Sequence, residues 1–348
     1  MPKVLITDPI DQSGIDILSQ VAQVDQKIGI SDKDLISIIK EYDALMIRSG
    51  TQVTGEIINS SNKLKIIGRA GVGVDNVDVK AATQKGVLVV NSPGGNTIAA
   101  AEHAIAMMLA LSRNIPLAHS STILGKWERK KFVGNELFKK KLGVVGLGKI
   151  GTHVAKVANA LGMEVIGYDP FVSSERAQQM QVKLSELNHL FEVSDYVTLH
   201  LPRTAETENL VDIKILKAMK NSAKLINCAR GGIIDENALA EALNSSLIGG
   251  AAIDVFSEEP LSPNSPLLKV EKNLILTPHL GASTKEAQEN VAIDVAEQIR
   301  DVLLGLSART AVNIPGLSPD IMDSLKPHLQ LAETLGLLIS QLSGGQID

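Results

Sequence analysis

At 348 residues the chain is too long for one comfortable hydrophobic core, so two or more domains are expected. Apolar residues make up 44% and charged residues 21%, and 34 Lys+Arg against 39 Asp+Glu give a net charge of -5. That balance argues against a general binder of nucleic acid or anionic membranes, while leaving room for a local basic cluster.

One cysteine, Cys228, rules out an intrachain disulfide and a thiolate zinc set, and favours a reducing compartment. The start, "MPKVLITDPI", reads as a strand with no basic-then-apolar leader before it, so no signal peptide and a cytoplasmic location are expected. Up to about residue 95 short β-branched runs alternate with helical spacing. "KVLITD" (3–8), "DALMIRS" (43–49), "LKIIGRAG" (64–71) and "VLVVNSP" (87–93) read as strands, with "GIDILSQV" and "DKDLISIIKEY" as helices between them. Strand, helix, strand in succession implies a parallel sheet with helices on its faces. "NTIAAAEHAIAMMLALSRNIP" (96–116) then reads as one long helix stopped by Pro116. Glu102 and His103 interrupt its apolar run, which is too short to cross a bilayer.

A second series follows from about 141: "KLGVVGLG", "MEVIGYDP", "DYVTLHLP", "AKLINCARGG", "AAIDVFSEEP" and "NLILTPHLG". These runs are apolar throughout, as strands buried on both faces should be. Each ends in a residue able to do chemistry or bind phosphate, and in open parallel sheets ligands bind outside the carboxyl ends of the strands. A helix over 283–305 returns from this series. The expected layout is α/β, with a parallel sheet in each of two domains and helices near 97–113 and 284–304 as the crossovers between them. Residues 1–96 with 290–315 would form one domain and 97–289 the other, and 316–348 look like the start of something larger.

"GLGKIG" places Gly146, Gly148 and Gly151 after a strand and before the helical "THVAKVANALG". The first glycine suits a tight turn, the second lets pyrophosphate approach, and the third lets helix and strand pack closely. Asp169 ends the next strand at about the 20-residue distance expected of a ribose-binding acid. Pro170 follows it rather than an arginine, which favours NAD over NADP.

Three residues at strand ends suit hydride transfer from a 2-hydroxy acid: Arg230, Glu259 and His279. A histidine can take and return the hydroxyl proton near neutral pH. A carboxylate can hold its ring, and an arginine fork can grip the substrate carboxylate. Pro278 precedes His279 and the bend-permitting Gly281 follows it. From the residues alone, His200 competes for the role of His279, and Glu258 for that of Glu259. The other histidines show no metal spacing, so no metal is expected.

The stretches "GRAGVGVDNVD", "GKWERKKFVG", "GLGKIG", "GYDP", "NCARGGIIDE", "AAIDVFSEEP" and "PHLGASTKEAQ" closely resemble the D-isomer-specific 2-hydroxyacid dehydrogenases over roughly residues 1–315. The resemblance implies two Rossmann-like, doubly wound parallel-sheet domains with an active-site cleft between them: a substrate-binding domain (1–96 with 290–315) and an NAD-binding domain (97–289), followed at 316–348 by the start of a truncated intervening domain. It implies that Arg230 binds the substrate acid, that Glu259 orients the histidine, and that His279 is the proton donor and acceptor. It further implies NAD contacts at Val72, Lys149, Ile150, Asp169, Leu201, Cys228, Ala229, Arg230, Asp254, His279, Leu280, Gly281 and Ala282. It is strongest to the branch that oxidises 3-phospho-D-glycerate with NAD at the start of serine synthesis, and it implies a homodimer formed through the NAD-binding domain. Long members continue into an intervening and a regulatory domain, whereas this chain ends at Asp348, which puts serine feedback and tetramer formation in question. A phosphorylated substrate needs further cations: Arg48 and Arg69 end strands of the first series, and Arg129, in "WERKKF", could enter a neighbouring subunit's cleft. The competing readings are a glyoxylate or hydroxypyruvate reductase and an NAD-binding corepressor of the same fold.

Overall fold

The computed structural model describes residues 1–314 and 319–343. Its strands are β1 (Lys3–Ile6), β2 (Gln23–Gln26), β3 (Ala44–Ile47), β4 (Ile66–Arg69) and β5 (Leu88–Asn91), then β6 (Lys141–Val145), β7 (Glu164–Tyr168), β8 (Lys183–Leu184), β9 (Tyr196–Leu199), β10 (Lys224–Asn227), β11 (Gly250–Ile253) and β12 (Leu274–Leu276). They form two sheets. The first has five strands in the order β2-β1-β3-β4-β5, and the second has seven in the order β12-β11-β10-β9-β6-β7-β8. Every pairing within them is parallel. Strand order reverses beside β1 in the first sheet and beside β6 in the second, and such switch points open a crevice at the carboxyl ends of the strands.

Each sheet carries apolar clusters on both faces, as helices on both sides require. The first sheet is closed by the helix Lys285–Leu303, whose Val291, Val295, Ala296 and Ile299 join the cluster of β1, β3 and β4. Gly68 in β4 makes that approach possible, because a Cβ there would lie 2.5 Å from Val295 Cγ1 and 2.6 Å from Ile299 Cδ1. Beyond the helix the chain clips onto β5: Val312 N donates to Val89 O, and Asn313 Oδ1 accepts from Val89 N.

Three sequence expectations change. β2 ("QVDQ") and β8 ("KL") escape detection because they are polar edge strands, held by backbone pairing to one neighbour rather than by burial. β12 is an edge strand too, partly exposed along its length rather than buried on both faces. Pro116 starts a helix instead of stopping one. The long helix ends at Ser112, Asn114 takes a left-handed conformation, and Pro116 sits in the first turn of Ile115–Ile123. The missing N–H costs nothing there, because first-turn N–H groups have no partner within the helix.

Of the region expected to begin a further domain, 316–318 and 344–348 lie outside the described residues, and Pro319–Ser343 is one helix. Among the described residues, no helix is long and apolar enough to cross a membrane.

Candidate active site

The fingerprint turn follows β6, at the switch point of the second sheet. Gly146 adopts φ +95, where a side chain is strained, and a Cβ would meet the His200 carbonyl. A Cβ on Gly151 would strike Gly146 O, so only glycine lets the helix Lys149–Ala160 close on the turn. Around Gly148 nothing lies within 4 Å of a built Cβ, which leaves the backbone open to a ligand. No side chain caps this helix, so its first N–H groups are free for a pyrophosphate. Asp169 Oδ2 accepts from Leu147 N at 2.8 Å and Oδ1 from Phe171 N at 2.9 Å, which fixes the carboxylate beside the turn. Leu201 backs Gly146, and Lys149 Nζ reaches toward Gly94 of the first unit. The residues present therefore fit a dinucleotide.

His279 and Glu259 meet, although 20 positions separate them: Nδ1 of the imidazole donates to Glu259 Oε2 at 2.7 Å. Burial opposes ionisation of Glu259, but the hydrogen bonds from His279 and from Phe256 N outweigh it and hold the carboxyl below its ordinary pKa. The imidazole stays 45% exposed, so its other nitrogen is accessible. Its backbone takes φ +53, and the residue is pinned there by donating its N–H to Asp254 O and Thr277 O. The strained residue of this loop is thus the histidine itself, while Gly281 needs no left-handed backbone.

Asp254, fully buried at the end of β11, secures the loop. Its carboxylate accepts from Thr277 Oγ1 at 2.5 Å, Leu280 N at 2.8 Å and Gly281 N at 2.9 Å, and His103 Nε2 lies at 3.2 Å. Burial works against its charge, yet these bonds keep its pKa below the ordinary value. His103, Cys228 and Asp254 bring potential metal-ligating atoms within 4.8 Å of one another, a grouping the sequence spacing did not suggest. The carboxylate is already engaged, and burial followed by the Asp254 charge pushes the Cys228 thiol far up, so the trio reads as support for the loop. His103 was visible as a polar interruption in an apolar helix, but nothing in the sequence named its partner.

Arg48 and Arg69 line the same cleft as His279 and Glu259, a space of about 640 Å3 whose remaining wall includes Phe256, Leu261 and Leu276. Burial pushes Arg69 down to about 10, the nearby Arg230 and Arg48 adding to the effect, and its Nε has no partner among the described residues. Arg230 reaches over from the second unit to Asp75 in the first. Val72 O accepts from Asn91 Nδ2, and Ala229 O from Arg230 Nη1. Leu280 stands 41% exposed at the rim, and Ala282 lines the cleft. Arg129 lies elsewhere, on the turn Arg129–Phe132, and does not line the cleft of its own chain. Two alternatives fall away. His200 bonds the buried Thr198 hydroxyl at 3.0 Å, and burial pushes its pKa down to about 4. It is Glu259, not Glu258, that holds His279. Asp8, unnoticed in the sequence, accepts from Arg48 N at 2.6 Å and Thr51 N at 3.2 Å, fastening the turn that carries Arg48.

Two parallel α/β sheets with an open dinucleotide turn at a switch point define a dinucleotide-binding protein of the doubly wound class. Residues 105–281, about half of the chain, match the D-isomer specific 2-hydroxyacid dehydrogenase family through the model of its NAD binding domain. The chain belongs to that family. It is 63% identical, over 348 residues, to D-3-phosphoglycerate dehydrogenase of Synechocystis, covering all of this chain and 62% of that protein. It therefore spans less than two thirds of that relative's length. Among solved structures, the TT0316 protein of Thermus thermophilus superposes with a TM-score of 0.82 at 31% identity, over 89% of this chain and 99% of that one. A glyoxylate reductase from Paecilomyes thermophila gives 0.82 at 27%, over 89% and 98%.

Proposed function

We propose that the protein oxidises 3-phospho-D-glycerate to 3-phosphooxypyruvate with NAD, the first step of L-serine synthesis. The observation that carries this reading is the His279–Glu259 pair opening into a cleft that Arg48 and Arg69 also line. When bound, NAD supplies the hydride acceptor. His279 takes the C2 hydroxyl proton on Nε2, because Glu259 occupies Nδ1, and in the reverse direction returns it to the carbonyl oxygen. Glu259 fixes the ring and favours the imidazolium that forms. Arg230 grips the carboxylate next to the reacting carbon, leaving Arg48 and Arg69 for the phosphate. The name borne by the Synechocystis relative supports this reading.

The same reading takes 1–96 with 290–315 as the substrate domain, 97–289 as the NAD domain, and 316–348 as the beginning of a third. Domain closure over the substrate is the motion expected of such a cleft. A homodimer through the NAD domain fits the exposure of Ile115, Leu117, Ile123, Leu124, Trp127 and Val133, and light scattering on the purified chain checks it. A cytoplasmic enzyme fits the free Cys228. Absorbance of NADH formed from 3-phospho-D-glycerate, compared with D-glycerate and with glyoxylate reduction, tests the activity. Preference for the unphosphorylated acids makes the protein a reductase of the neighbouring type, and turnover of none points to a binding protein.

A further inference from the structure

The turn 71–76, inside "GRAGVGVDNVD", touches Arg48 and Arg69 of the cleft and Arg230 beside it. Gly71 and Gly73 leave room for two guanidinium groups: a Cβ at Gly71 would strike Arg69 Nη1, and one at Gly73 would strike Arg230 Nη2. Asn76 Nδ2 donates to Arg48 O at 2.8 Å and Thr51 O at 2.7 Å, tying down the turn that carries Arg48. Between them, Asp75 Oδ2 accepts from Arg230 Nε at 3.0 Å, a contact between residues 155 positions apart that joins the two units. Arg230 Nη1 is turned to its own Ala229 carbonyl at 2.7 Å, and among the described residues no hydrogen bond holds Nη2.

We propose that Asp75 is a positioning residue for Arg230, holding the guanidinium at Nε from the first unit so that Nη2 is set for the substrate carboxylate. The Asp75 side chain is 63% exposed, and a pair this exposed adds little to folding stability. Its consequence is orientation. A guanidinium is rigid and planar, so an acceptor on Nε fixes the plane of the group and with it the direction of Nη2. Asp75 also supplies negative charge among guanidinium groups that would otherwise repel one another. Because it belongs to one unit and Arg230 to the other, the clamp is aimed only while the two units stand in this arrangement.

The inference rests on the proposed activity, and its test separates the two. Asp75→Ala and Asp75→Asn are compared with the unaltered chain, using NAD and 3-phospho-D-glycerate. In Asp75→Ala the KM for the acid should rise about tenfold, the loss of one charge-assisted hydrogen bond. The KM for NAD and the pH–rate profile should stay unchanged, and kcat should hold within about threefold. Asp75→Asn should recover most of the loss, since its amide oxygen still accepts from Nε. An unchanged or lowered KM for the acid in Asp75→Ala overturns the role, as does a parallel rise in both KM values. If the unaltered chain turns over only unphosphorylated 2-hydroxy acids, the phosphate reading fails, and the same comparison is made on those acids. If it turns over none, amide hydrogen exchange decides. Faster exchange at 228–232 in Asp75→Ala than in the unaltered chain supports the contact, and identical exchange refutes it.

Discussion

His200 and His279 both follow a strand of the second sheet at its carboxyl end, β9 for one and β12 for the other. They differ in surroundings. β9 is central and buried, and its histidine turns to the hydroxyl of Thr198, where burial keeps the ring neutral down to about pH 4. β12 is an exposed edge, and its histidine faces the cleft with a carboxylate on its inner nitrogen. A strand end supplies position; a partner acid and access to solvent supply proton chemistry.

Four measurements sharpen or break that contrast. His279→Ala should lower kcat by about 10²–10⁴, the scale of general acid–base catalysis, while His200→Asn stays within about twofold. Steady-state NADH formation reads both, and the opposite result transfers the proton role to His200. Glu259→Gln should lower kcat by about 10–10² with little change in KM for the acid, since the proton step is weakened rather than binding. Burst kinetics show whether the loss lies in chemistry. Arg48→Ala should raise KM about tenfold for the phosphorylated acid and much less for D-glycerate. Equal losses on both acids would count against phosphate recognition.

The smallest effect concerns stability. The unfolded His200 binds a proton below about pH 6.5, whereas the folded one does so only near pH 4. Between those values the unfolded chain holds the extra proton, so the contribution of neutral His200 is complete above the upper value and lost as pH falls toward the lower one. Urea unfolding at successive pH values should show a shallower decline over that window in His200→Asn.

Much of this architecture is legible in local pattern. The apolar runs of the central strands, such as "ALMI" and "KLIN", follow from burial on both faces. "GLGKIG" could be read because its spacing is the chemistry: Gly146 and Gly151 answer close approaches, and Gly148 leaves the backbone open. The edge strands β2 and β8 could not be read so, since backbone pairing leaves no hydrophobic mark on a polar edge. Nor could the helix after Pro116, whose first turn tolerates what an interior turn does not.

The sequence alone determined the α/β class, the dinucleotide turn and the residue types needed for chemistry, because sheet burial and glycine spacing are local properties. What the residues alone left open between candidates of equal type, the tertiary structure answers with contacts. Glu259 rather than Glu258 meets His279, Asp254 and His103 brace its loop, and Asp75 holds Arg230. Those contacts link residues from 20 to 155 positions apart. A hydrogen bond depends on distance and direction in space, and strand order sets both.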